Sequence, residues 1–259
     1  RIVRPDGTER HVREEFTRSR DETDQITRLF GIIQDVTELR QNERALADSK
    51  ARLRAVLDVA VTGIIAFLVA STPALYVPIF TTPLKWVVML APLAFIFVLS
   101  WRFEQMSTSA LQMTFFTFCA VMGVSMASIF LVFTGASVAR VFFITSAMFA
   151  ATSLWGYTTK TDLSKMGSFL IMGLIGIVIA SIVNIFVGSS ALQFAISVIG
   201  VVVFTGLTAY DTQNIKESYA EHFGHDTMTK MAVMGALSLY LNFINLFMML
   251  LQLFGTQRD

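Results

Sequence analysis

The sequence predicts an all-α membrane protein, a bundle of seven transmembrane helices behind a short charged head, and three observations predict it. Hydrophobic residues make up 54% of the 259 positions and mean hydropathy is +0.62, values a soluble chain does not reach. Charged residues are only 15% of the chain, and more than half of them fall within the first 54 positions. Beyond that point, long apolar segments recur with short polar or Gly/Pro interruptions between them.

The head, residues 1–36, carries strand signals. Asp6-Gly7 sits between alternating segments and marks a hairpin turn, and ITRLFGIIQDV at 26–36 has the β-branched and aromatic content of a further strand. Asp35 is a candidate helix cap, and TELRQNERALADSKARLRAVL behind it has Glu, Arg, Ala and Leu at helical spacing, so residues 37–55 form a connector helix. The order is strand, strand, strand, long helix. With RPDGT, a later Arg and Val, and then QDVTELRQNE, this order resembles the C-terminal half of a PAS domain. A PAS ligand pocket depends on the N-terminal half, which these residues do not include, so a leftover hairpin and connector is the better reading than a cofactor site. The chain starts at Arg1 with no signal-peptide pattern and is expected to be part of something longer or a processed product. The head is not expected to support the folding of the body.

Residues 56–259 are the transmembrane domain. Apolar segments fall at 56–71, 84–101, 110–134, 138–157, 166–188, 190–210 and 232–254. The first is short and carries Asp58, which is expected at the cytoplasmic end of its helix because a carboxylate at bilayer depth is costly. The connections, STPALYVPIFTTP and DTQNIKESYAEHFGHDTMTK among them, are too short for a soluble domain. Arg102, Lys160, Lys165, Lys216 and Lys230 fall on the side of the Arg-rich head, against Lys85, Arg140 and Arg258 on the other. The bias places the N-terminus in the cytoplasm. Gly173, Gly176, Ala180 and Gly188 recur in the fifth span at a spacing that lets helix backbones approach.

Several function classes drop out. A net charge of +1 does not supply the surplus of Lys and Arg that phosphate binding needs, so no nucleic-acid partner is expected. The lone cysteine, Cys119, lies in an apolar run and reads as a packing residue. There is no nucleophile elbow, zinc-protease motif or phosphate loop, so neither an enzyme nor a cofactor is expected. The histidines are His11, His222 and His225; the last two, in EHFGHD, are a weak metal candidate and better read as part of a solvated connector.

The informative residues are polar groups at membrane depth. Asp211 ends the sixth span in VVVFTGLTAYDTQNIK, either as a functional carboxylate or as an interfacial one solvated by the following loop. The seventh span holds Asn242, Asn245 and Gln252; the first two share a helix face and look into the bundle, where amides more often join helices than hold ions.

Over residues 60–255, FTGLTAYDTQNIKE, GALSLYLNFINLFMMLLQLFG and the VFTGASVARVFFITSAMFAATSLWGYTTKTDLSK segment before them resemble the bacterial branch of the Bax inhibitor-1 family. The resemblance implies a seven-helix bundle whose last helix is central. It also implies a pH-sensitive calcium leak across the bacterial inner membrane, with calcium as permeant ion, or a regulator that binds another membrane protein such as an ATP-dependent protease. A third reading is a signalling protein driven through its head. In that family a carboxylate pair, one at the end of the sixth helix and one in the seventh, is taken to form the pH-sensing gate. Asp211 matches the first position; Asn242 stands at the second, where a number of relatives have Asp, so the mutual repulsion of two carboxylates is missing here. An arginine at the inner end of the second helix is the family's other gate partner, and Arg102 in LSWRFEQMS matches it, with a topology anchor as its alternative role.

Overall fold

The computed structural model describes residues 2–3, 9–10, 12–20, 26–35, 37–103, 105–218 and 225–258. The chain divides into two compact units, Arg1–Ser49 and Lys50–Asp259. In the first, β1 (Ile2–Val3) pairs antiparallel with β2 (Glu9–Arg10), and β3 (Val12–Arg20) with β4 (Ile26–Asp35), with Phe16 opposite Gly31. The two residues expected to turn the first hairpin, Asp6 and Gly7, lie outside the described residues.

Helix α1 (Thr37–Ser71) joins the expected connector and the first apolar segment in one uninterrupted helix. It ends where Pro73 lacks the N–H that would continue the ladder. The same proline is well placed as the first residue of a new helix, and α2 (Pro73–Phe80) starts on it, bent 91° from Leu57–Ser71. The sequence reads this stretch as a plain connection. Its backbone is helical, and Thr81 and Thr82 donate their hydroxyls back to the carbonyls of Val77 and Pro78, both at 2.6 Å.

The remaining elements are α3 (Leu84–Arg102), α4 (Thr108–Met126), α5 (Ser128–Val132), α6 (Gly135–Thr158), α7 (Ser164–Val187), α8 (Ser190–Ser218) and α9 (His225–Phe254). Among the described residues six helices are long and apolar enough to cross a membrane, and the bent α1–α2 pair makes a seventh crossing if it counts as one span. Ser107 and Thr134 cap α4 and α6 by accepting the amides of Ala110 and Ser137. Gly188 ends α7 at φ 64°, the left-handed conformation that glycine adopts without a Cβ penalty.

Helix α9 is the central one. Its membrane window is 67% buried, against 11–39% for the windows of the other five. It packs on α8, α6 and α4. Fully buried Tyr240 stands edge-on to Phe115 and Phe118 at 6.0 and 5.7 Å, and Phe243 meets Phe142 and Phe149 at 5.7 and 5.5 Å. Such pairs contribute about 0.5–1.5 kcal/mol each beyond area burial.

Between helices in lipid, close packing replaces the hydrophobic effect as the cohesive force. The closest approaches are only partly those expected. Gly173 does face Val203, but a Cβ on Gly176 would meet open space, and Gly188 serves the helix end. Tight seams that the spacing did not single out lie at Gly156, against the backbone of Ala209, and at Gly167, against the ring of Tyr210.

Candidate functional site

Asp211 does not end its helix. The polar run TQNIKES continues α8 to Ser218 because its side chains have partners on the last turn of α6 and on the connection between α6 and α7. Gln213 accepts the amide of Leu163 at 2.8 Å and donates to the carbonyl of Thr161 at 2.9 Å. Lys216 donates to the carbonyl of Tyr157 at 2.8 Å and lies 4.8 Å from the centre of its ring.

This extension holds Asp211 inside the bundle, facing α9. One carboxylate oxygen, Oδ2, accepts both the hydroxyl of Ser238 and the amide Nδ2 of Asn242, the latter at 2.7 Å. Ser238 and Asn242 are one turn apart on a single face of α9, so two donors converge on one acceptor. Asn242 is buried, and Asp211 and Ser238 open onto a cavity of about 290 Å³ lined also by Phe103, Asn214, Ile215 and Met234.

The structure thus brings two of the three expected site residues together. Arg102 is exposed at the last residue of α3, next to the cavity-lining Phe103, and among the described residues it makes no ion pair with Asp211. Asn245 turns to its own helix and donates to the carbonyl of Leu241 at 2.8 Å. Ser238 is the residue that sequence reasoning misses. Its position one turn before Asn242 was the available signal.

Two further polar layers cross the bundle. Thr62 of α1 hydrogen-bonds the Tyr240 hydroxyl at 2.8 Å and donates towards the carbonyls of Asp58 and Cys119. Asp58, expected at the end of its helix, lies instead within the unbroken α1, near the start of its apolar part, and is only 5% exposed, so packing and not solvent surrounds it. About 18 Å further along α9 from Tyr240, Gln252 accepts from Gln193 and Ser197, and Gln193 in turn accepts from Asn184. That layer has the helix-joining role expected of buried amides.

Among the described residues no group of three or more His, Cys, Asp or Glu could hold a metal ion. His11, His222 and the side chain of His225 lie outside those residues.

Comparison with known proteins follows the same boundaries. The family described as inhibitor of apoptosis-promoting Bax1 matches residues 54–259, the whole helical body. The inner membrane protein YbhL of Escherichia coli K12 is 45% identical over 200 residues, 76% of this chain and 86% of its own length. An uncharacterized protein of Caulobacter vibrioides is 43% identical over 216 residues, 80% and 86% of the two chains, and the protein RP147 of Rickettsia prowazekii 43% over 198 residues, 76% and 84%. With a polytopic helical body matched from end to end, this chain belongs to the Bax inhibitor-1 family of integral membrane proteins.

Proposed function

We propose that this protein is a pH-sensitive cation leak of the bacterial inner membrane, with calcium among its permeant ions, a cytoplasmic N-terminus and Asp211 as its proton-sensitive group. The observation that carries the proposal is the single carboxylate oxygen of Asp211 tying α8 to two donors on α9 beside a cavity that Asp211, Asn214 and Ser238 help to line. An ionised carboxylate only accepts hydrogen bonds; a protonated one must donate. Protonation at Oδ2 therefore turns the group that holds Ser238 and Asn242 into one that competes with them, and the α8–α9 contact loosens. Oxygen donors also suit calcium, and the Asp211 carboxylate and the Asn214 amide both line that cavity.

In this scheme the closing contact is the α8–α9 hydrogen-bond pair. Arg102 sits as a topology anchor at the inner face. The test is calcium flux into proteoliposomes across a pH series. Asp211→Asn is expected to remove the pH dependence. Asn242→Asp, which restores a carboxylate pair, is expected to move opening to higher pH, because two like charges in one site favour taking up a proton. Arg102→Gln is expected to leave the midpoint in place. One pH profile shared by wild type, Asp211→Asn and Asn242→Asp would overturn the proposal and favour a non-conducting regulator that binds another membrane protein, such as a protease.

A further inference from the structure

A second cavity lies away from Asp211. It measures about 680 Å³ and is bordered by α1, the α4–α5 break, α6 and α9, with Gly63, Ala66, Phe130, Ala139 and Phe247 among its walls. Its lining is almost wholly apolar, and a Cβ added at Gly63 or Gly135, both wall residues, would find no atom within 4 Å. The space at these glycines is open, not loosely packed side chain. Ile64, Phe67 and Phe143 on its walls are exposed, so the cavity opens sideways as a groove towards the hydrocarbon of the bilayer.

We infer that this cavity holds one acyl chain of an anionic phospholipid, independently of whether the protein conducts ions. Three features select that occupant. Its α1 wall runs from Val59 to Leu68, about 14 Å of helix, close to half of a hydrocarbon core about 30 Å thick. That is the depth of one leaflet. The cavity starts at the α6 N-terminus, where Gly135 lines it, and Arg140 follows within α6 between the wall residues Ala139 and Phe143. Arg140 is exposed, and its Cα–Cβ bond points back towards that helix end, so the guanidinium snorkels to the interface. Arg258 comes to the same end, its backbone amide bonded to the carbonyl of Val132 at 2.8 Å. Arg140 and Arg258, both exposed and both near the α6 N-terminal end of the groove, supply the charge for a phosphate-bearing headgroup, which arginine binds through paired N–H donors.

The test uses the full chain in phosphatidylcholine vesicles carrying a trace of phosphatidylglycerol with a photoreactive acyl chain, with labelled peptides mapped after irradiation. Labelling is expected to concentrate on residues 59–68 and 135–143, several-fold above the lipid-facing stretch Ile175–Phe186 of α7. Gly63→Leu and, separately, Gly135→Leu fill the space without a clash and are each expected to lower cavity labelling at least threefold, with unchanged melting showing that the bundle is intact. Arg140→Gln is expected to abolish the preference for phosphatidylglycerol over a phosphatidylcholine probe bearing the same chain, while acyl labelling persists. Equal labelling of the cavity and α7, or labelling indifferent to both leucine variants, would overturn the inference. So would efficient disulfide linkage of two chains through Gly63→Cys in the vesicles, which would assign this face to a second copy.

Discussion

Replacing Gly156 by alanine is the sharpest test of how the bundle is held together. A Cβ there would lie 2.4 Å from the carbonyl oxygen of Ala209, 2.8 Å from its Cα and 2.9 Å from its carbonyl carbon. All three are backbone atoms, so no side chain can rotate away; α6 and α8 must separate by about 1 Å to restore ordinary contact. Overpacking of this kind costs about 1–3 kcal/mol, and its rigid partners place this case near the upper end. Alanine regains about 1 kcal/mol of helix propensity over glycine, leaving a net destabilisation of about 2 kcal/mol. Gly176 supplies the control, because its added Cβ meets nothing within 4 Å on an exposed face of α7. Gly176→Ala therefore keeps only the propensity gain, about 0.5–1 kcal/mol of stabilisation. Thermal unfolding of the two purified variants in one detergent should thus move in opposite directions. Melting of Gly156→Ala at or above the wild-type temperature, or shifts of the same sign in both, would refute the reasoning that the Gly156–Ala209 seam is a closest approach.

Gln213→Ala removes the partner of both the Leu163 amide and the Thr161 carbonyl, and an unsatisfied buried amide costs about 1–3 kcal/mol; hydrogen exchange at Leu163 should accelerate while α9 stays protected. Asp162 accepts the amide of Ser164 at 2.9 Å, and this bond, with help from the Ser164 hydroxyl and nearby Lys165, holds its carboxyl below the usual carboxylate range. A depressed folded-state value gives stability that is present above the unfolded value and lost as pH falls through the folded one. Wild type should therefore lose slightly more stability than Asp162→Asn on acidification below the ordinary carboxylate range, and parallel melting curves against pH would contradict this. Cysteines at Thr161 and Ser189, at opposite ends of the roughly 36 Å helix α7, should be labelled from the cytoplasm and from outside respectively; labelling from one side would overturn the topology.

The helical body was legible from hydropathy because a segment that buries its backbone in lipid has to be both apolar and long, and those two properties are written residue by residue. The boundaries were less legible where partners decide them. Nothing in TQNIKES by itself shows that α8 continues past Asp211; that follows from Gln213 and Lys216 finding the end of α6 and the connection after it, fifty or more residues away in sequence. Likewise STPALYVPIFTTP carries the punctuation of a loop, yet Pro73 at a first helical turn starts a helix as readily as it ends one.

At the candidate site the sequence determined the residue types and their helix faces. Asp211 and Asn242 stand out as polar groups in apolar runs, and the 3.6-residue period alone puts Asn242 and Ser238 on one side of α9. Which groups meet is a matter of helix rotation and crossing, which single-helix periodicity does not contain. Tertiary packing chose Ser238 over Arg102 as a partner of Asp211, turned Asn245 back to its own helix, and drew Thr62 across to Tyr240. It also set the contacts at the glycines: Gly156 and Gly167 touch neighbouring helices while Gly176 faces outward, because a small residue records only that a close approach is permitted and the neighbouring helix determines whether one occurs.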